Sequence, residues 1–540
     1  MTGADPLLVG VFADTTATRR TRLLAALELA FPVHFEARRR GELGGLDAVL
    51  DRGNGVAARE AAAAGTPALF MLGDEPAEAG VAAAPFDLAR SPLLDPRLRG
   101  ASLPDRRLLS GLRHEGAGDR PGPAASVLGR WGEHPVWWAE GPLRVALLAP
   151  RELGESEALR DRLCAGRALA LLPLVEFLRG LSAKIAWTPP PPAAAYIIDD
   201  PNLHWPTYGY IELPVLARHA REHGYHAVLA TVPLDARWAH AGALEAIAAS
   251  AGAISLAVHG NDHDGGELGR VDTTMAATAV AAQALRRVAR FECRTGHPIE
   301  RVMVPPHEAC SAATLAALLR CGYEAISMTI PFPWLGVAHG DWLARPPHAD
   351  ALVGWRSIER ATGLPTILRH QLVGRSPAEM RLRAYLDQPV VLYGHHDDLA
   401  PGLDLLAETQ DEIAAIAPAT AWRSLASISR RAYETRAEGA TLAVRALANQ
   451  LRVEVPAGTD ALRFEPPLGP PSSPRLVVDG QAAEYGQTIA LAPGADVVTV
   501  DSGPAPIEPA EVPSPPRRPL AVARRIAGES RDRLAPLLAR

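Results

Sequence analysis

AYIIDDPN, residues 195–202, decides the fold: an apolar run ends on two adjacent aspartates, Asp199 and Asp200. A short continuous apolar run reads as a strand buried on both faces, the kind found in parallel sheets. Two carboxylates directly behind such a strand are unfavourable without a counter-charge, so the pair asks for a partner. Working outward, further strands are expected at Ala227–Thr231, Ile254–Val258, Val302–Val304, Ala325–Met328, Ile367–Leu368 and Val390–Tyr393. Helical patterns at Leu213–Glu222, Met275–Phe291, Ser311–Leu319 and Leu403–Ile416 alternate with several of them. Repeated βα units predict a distorted or incomplete (β/α) barrel over residues 195–435, with its chemistry where the strands end.

The flanks differ in character. Residues 1–187 alternate strands (6–12, Val33–Glu36, Ala48–Leu50, Ala68–Met71, Leu143–Leu148) with helices (Arg19–Ala30, Val56–Ala64), predicting an open α/β domain of unassigned role. It contains neither a G-x-G-x-x-G after a strand nor a P-loop, so nothing supports a nucleotide cofactor. Glu155–Leu178 reads as a helical stretch kinked or broken at Pro173 and stopping near Gly180. TPPPPAAA, residues 188–195, is a linker by composition. Residues 440–502 alternate apolar and polar between turns, as a small β-sandwich-like domain does. Residues 503–540 are a Pro-rich linker and a basic tail, helical from Leu520.

With 48% hydrophobic and 21% charged residues over 540 positions, the chain is that of a multidomain soluble protein. A net charge of -6 gives no reason to expect nucleic acid. The apolar run at 6–12 is too short for a signal-peptide core, and no stretch reaches membrane-span length, so a cytoplasmic location is expected. Cys164, Cys293, Cys310 and Cys321 form no CxxC pair and read as free thiols, mostly buried; Cys310 is expected as a buried cysteine at a helix start.

Three polar clusters fall at barrel strand ends: Asp199-Asp200; AVHGNDH, carrying His259 and His263; and VVLYGHHDD, carrying His395, His396, Asp397 and Asp398. Two imidazoles and a carboxylate with an open position match catalytic zinc coordination, in which the ion activates water and polarises a carbonyl. A second carboxylate can take the water's proton, and a histidine opposite can protonate the leaving group. Spacing alone is weak evidence, since 17 histidines give about 0.5 pairs at any chosen separation by chance. His219 and His223 supply an internal control: the same spacing, but on a predicted helix that follows no strand, where a structural role is expected.

The order strand–Asp–Asp, strand–HxxxH, strand–Pro–Pro, strand–His resembles the polysaccharide deacetylases, the chitooligosaccharide-deacetylase homology family, as a divergent member covering about residues 195–415. The resemblance implies Asp199 as base, Asp200, His259 and His263 as ligands of a divalent metal, most simply Zn²⁺, and His395 or His396 as acid. Where the family reads RPPY this chain has Val304-Pro305-Pro306-His307, so the arginine that orients the base is missing; His307 or Glu308 is expected to take over that role. Asn202, His204 and Trp205 are candidates for a sugar subsite.

The bland alternatives are a solvent-exposed turn or helix cap for the Asp pair, hydrogen-bonded loop imidazoles for His259 and His263, and surface chemistry for 395–398. The expected function is a metal-dependent hydrolase removing N- or O-linked acetyl groups from a carbohydrate-like substrate, metal-activated water attacking the carbonyl. The alternatives are an inactive deacetylase-like binding or regulatory protein, and a glycosidase whose second carboxylate is Glu308, Asp397 or Asp398.

Overall fold

The computed structural model describes all residues except 1–4, 14–20, 75–83, 106–119, 155–156, 330–353, 356–358, 362, 467–474, 517–518 and 539–540. Two compact units emerge: Met1–Trp187 with Asp341–Trp355 and Ser376–Leu386, and Thr188–Gly340 with Arg356–Arg375 and Asp387–Arg540.

The second unit contains a closed barrel of seven parallel strands. They are β1 (Ala193–Asp199), β2 (Ala227–Thr231), β3 (Ile254–His259), β4 (Glu300–Val304), β5 (Ala325–Met328), β6 (Leu364–Gln371) and β7 (Val390–Gly394). β1 closes the ring, pairing Tyr196 with Ala227 of β2 on one side and with Leu392 of β7 on the other. Inward positions alternate along each strand: Ala193, Ala195 and Ile197 on β1, Val228 and Ala230 on β2, Ala257 on β3, Val302 and Val304 on β4, Ile367 on β6 and Val391 on β7. Many are alanine or valine, which suits the narrow bore of a small barrel. The barrel strands expected from apolar runs are all present: Ala227–Thr231 and Ala325–Met328 with the expected bounds, the other five lengthened by one to several residues.

Below the barrel the same core continues into two four-stranded sheets, one led by Tyr433–Glu438 and Thr441–Ala446, the other by Gln450–Glu454 and Val497–Asp501. Ile507 N donates to Arg320 O at 2.8 Å, and Arg286 reaches Val512 O and Ser514 Oγ at 2.8 and 3.0 Å, so the Pro-rich segment runs along the barrel's outer helices. It leads to a terminal helix, Pro519–Leu538. Among the described residues no helix is long and apolar enough to cross a membrane.

In the first unit Leu7–Phe12, flanked by Val33–Ala37 and Ala48–Asp51, continues through Ala68–Asp74 to Leu143–Ala149 as a parallel sheet. Four antiparallel strands extend it: His134–Glu140, Ser126–Trp131, Ala84–Leu88 and Ser102–Asp105. Trp137 and Trp138 lie in its core. The first helix starts at Arg22, capped by Thr21; Arg19, from which it was expected, is outside the described residues. Within the helical stretch expected over Glu155–Leu178, a 3-10 turn (Leu159–Asp161) precedes a helix at Leu172–Ser182. Pro173 sits in that helix's first turn, where its missing N–H costs nothing, instead of kinking it, and Gly180 lies inside it. The four cysteines are free thiols; Cys310 is buried just before a helix capped by Ser311, and Cys293 is exposed.

His226, just before β2, is buried with Nε2 2.9 Å from Ser255 Oγ, and burial pulls its imidazole from 6.5 down to about 4. The unfolded chain therefore takes up this proton first, and the stability His226 contributes above pH 6.5 drains away as pH falls towards 4. Urea unfolding is expected to show up to about 3 kcal/mol of acid-side loss from this group. His226→Gln should flatten the slope by that amount; an unchanged slope in the variant refutes the assignment.

Candidate metal centre

The alternation that fills the bore with small apolar residues also aims the polar ones. Two positions beyond Ile197, Ala257 and Ile367 come Asp199, His259 and Arg369, so all three project inward at the strand ends. Asp200 follows with φ 73, a left-handed conformation that is uncommon outside glycine and that turns the chain sharply at the strand end.

Asp200, His259 and His263 each offer one ligand atom, all within 4.8 Å of one another. Asp200 Oδ1 is 2.9 Å from His263 Nε2 and 3.6 Å from His259 Nε2. His259 Nδ1 lies 2.8 Å from the carbonyl oxygen of Val304 on the adjacent strand. That contact puts the proton on Nδ1 and leaves the Nε2 lone pair facing Asp200, the tautomer a metal ligand needs. Burial lowers His259 to about 4 against the pull of Asp199 and Asp200, so it is neutral at ordinary pH. Burial pushes the Asp200 carboxyl up, but the His263 hydrogen bond and the charges of His259, His263 and Arg525 hold it well below the usual carboxylate range. For His263, burial pulls down while the hydrogen bond and charge of Asp200 raise it further. The donor chemistry fits a divalent ion: one ionised carboxylate and two imidazole nitrogens converging on a point.

The loop carrying His263 is knit by Glu267, whose Oε1 accepts from the backbone N–H of Asn261, Asp262 and His263 at 2.6, 3.0 and 3.0 Å. Gly260 has φ 65, and a Cβ there would stand 2.5 Å from Glu267 Oε1 and 2.6 Å from Pro306 Cγ. Only glycine satisfies both constraints.

Asp199 is held from β6. Arg369 Nη1 donates to its two oxygens at 2.9 and 2.8 Å, while Arg369 Nε donates to Glu308 Oε1 at 2.9 Å. Arg369 is 2% exposed and packs over Tyr393, its carbon Cζ 4.1 Å from the ring centroid. The orienting contact expected from His307 or Glu308 comes instead from Arg369 on β6, and Glu308 holds that guanidinium without touching Asp199. His307, with φ 54, packs instead against the His263 ring at 5.2 Å between centroids. Arg369 was missed although LPTILRHQ carried a signal: a guanidinium inside an apolar parallel strand must have a buried counter-charge.

His395 and His396 point apart. His395 Nε2 is 4.0 Å from Asp200 Oδ2 and half-exposed at the mouth. His396 sits between Tyr208 and Tyr210, 3.7 Å from Asp532. Asp397 and Asp398 form a second group with His395; Asp398 Oδ2 accepts from His395 N at 2.8 Å. Asn202 is buried, its Oδ1 accepting from His204 N at 3.2 Å, and His204 Nδ1 is 2.6 Å from Glu529. Trp205 stays half-exposed, stacked on His240. The control pair behaves as expected: His219 and His223 stack on one helix, His219 bonding Tyr225 Oη at 2.9 Å.

No protein-family model and no curated protein matches the chain. Solved structures do. It is similar to a family 4 carbohydrate esterase from Streptomyces lividans in complex with acetate (12% identity, 44% of this chain and 93% of that one, TM-score 0.25). A peptidoglycan N-acetylglucosamine deacetylase shares 13% identity over 45% of this chain and 90% of its own, TM-score 0.26. A CE4 family pseudoenzyme from Bacillus anthracis shares 11% identity over 42% and 64%, TM-score 0.24.

Proposed function

We propose that the chain is a metal-dependent hydrolase removing acetyl groups, N- or O-linked, from a carbohydrate-like substrate. The observation that carries this reading is the convergence of Asp200, His259 and His263 beside Asp199, a second carboxylate locked by its own arginine.

Asp200 Oδ1, His259 Nε2 and His263 Nε2 hold the ion, Zn²⁺ or a close relative. When bound, it supplies Lewis acidity to the acyl carbonyl and to water. Asp199 is the base: Arg369 fixes its plane, so the proton leaving water goes to a carboxylate oxygen already in place. His395, half-exposed beside Asp200, is the acid, donating from Nε2 to the departing amine or alcohol and regaining its proton from solvent. His396, turned towards Asp532, does not take that role.

Acetate release should be screened over acetylated oligosaccharides and amino sugars with the zinc-loaded protein. Asp199→Asn keeps the side-chain shape but cannot accept the proton, and a fall in kcat of about 10²- to 10⁴-fold with metal content unchanged is expected. Turnover equal to wild type would remove Asp199 from the chemistry. A second reading, an inactive deacetylase-like binding protein, is favoured by one observation: Arg525 lies 3.4 Å from Asp200 Oδ1, where a cation is already supplied. Absence of turnover in a wild-type protein that binds metal would select it.

A further inference from the structure

The helix Pro519–Leu538 lies across the barrel mouth, and its inward face is charged. Ala521 and Val522 pack on Val232 and Leu234 at the end of β2. One turn on, Arg525 Nε donates to Asp235 Oδ2 at 2.8 Å, and Nη1 reaches Asp200 Oδ1 at 3.4 Å. Glu529 meets His204 Nδ1 at 2.6 Å, Tyr208 Oη donates to Asp532 at 3.2 Å, and Arg533 lies 5.0 Å from the Trp205 centroid. Residues 522, 525, 529 and 532 form one stripe at helical spacing. Leu520, Ile526 and Leu534 point to solvent. Apolar contact with the barrel is small, and the helix is held chiefly by ion pairs.

We infer that this helix is an electrostatic strap, and that its docking and divalent-metal binding at Asp200 oppose each other. The inference rests on the metal centre proposed above. Arg525 and the ion are two cations drawing on one carboxylate oxygen, and each raises the cost of the other. Linkage makes the opposition reciprocal: the docked strap weakens metal binding by the factor by which bound metal weakens docking. Loading the site would loosen the strap and free His204, Tyr208 and Trp205, which its acidic and basic residues cover, for substrate.

The test uses the full-length, chelator-stripped protein with Zn²⁺ alone as probe. Competition with a chromogenic chelator gives Kd, and hydrogen–deuterium exchange follows the amides of 519–538. Arg525→Gln is expected to tighten Zn²⁺ at least about 10-fold, and Arg525→Lys to stay near wild type. Zn²⁺ should speed exchange across 519–538 in wild type. General damage to the fold would weaken binding, so the direction separates the two effects. Should Arg525→Gln fail to fold, Glu529→Gln, which loosens the helix at His204 away from the ligands, carries the same expected tightening. Unchanged or weaker Kd, or exchange indifferent to Zn²⁺, overturns the strap while leaving the metal centre standing. No Zn²⁺ binding by any form overturns the centre and the coupling together.

Discussion

Arg369→Ala is expected to cost about 3–5 kcal/mol of stability, because it strands a buried carboxylate. Asp199 is 3% exposed, and both of its carboxylate oxygens accept from this guanidinium. Glu308, at the other edge of the fork, loses its partner too, though its second oxygen still accepts from Thr329 N at 2.8 Å. The measurement is urea unfolding of the metal-free protein at pH 7, alone and in a cycle with Asp199→Asn. A neutral amide has no unpaired charge to bury, so Arg369→Ala should cost much less on the Asp199→Asn background, a coupling of about 1–3 kcal/mol. Additive effects would mean that the pair does not act as a pair. Arg369→Lys tests geometry separately: an ammonium keeps the charge but cannot span Asp199 and Glu308 as a planar fork does. It should retain most of the stability and lose roughly 10²-fold in acetate release, because the proposed base, Asp199, is no longer aimed.

That arginine also shows where sequence reading reaches its limit. Much of what is local in the chain was legible. The apolar run into Asp199 and Asp200 states its own strand and its own need of a counter-charge, and the tight loop from His259 to His263 fits a strand end. The helix under His219 and His223 excludes the same spacing there. What pairs at long range was not: Arg369 and Asp199 are 170 positions apart, and a strand with one arginine does not name its carboxylate. The terminal helix is the same case on a larger scale. Its basic composition reads as a solvated tail or a partner-binding helix, because the local pattern carries no trace of Asp235 and His204, its partners some 290 and 325 positions earlier. The antiparallel half of the first unit was hidden differently. Ser126–Trp131 and His134–Glu140 meet at a two-residue turn with Gly132 at φ 54, behind a Pro/Gly-rich stretch that masks the hairpin.

His263→Ala and His259→Ala should each abolish stoichiometric Zn²⁺ binding at micromolar protein, a loss well beyond the roughly 10–100-fold of changing an outer-shell partner. The two need not be equal. His259 is fixed on a strand with its tautomer set by Val304, whereas His263 stands on a loop at φ 53 that depends on Glu267. Glu267→Gln, which weakens that loop's backbone clasp without removing a donor atom, is accordingly expected to fall in the outer-shell range. Acetate release should follow metal content through the series. His219→Ala and His223→Ala, with identical spacing on a helix, should leave both unchanged. Equal, negligible zinc in wild type and in the His259 and His263 variants would end the metal proposal. Zinc retained in those variants but lost on changing His395, Asp397 or Asp398 would move the ion to the neighbouring group at the mouth. Asp199 would then face no activated water, and its arginine would be left with a purely structural role.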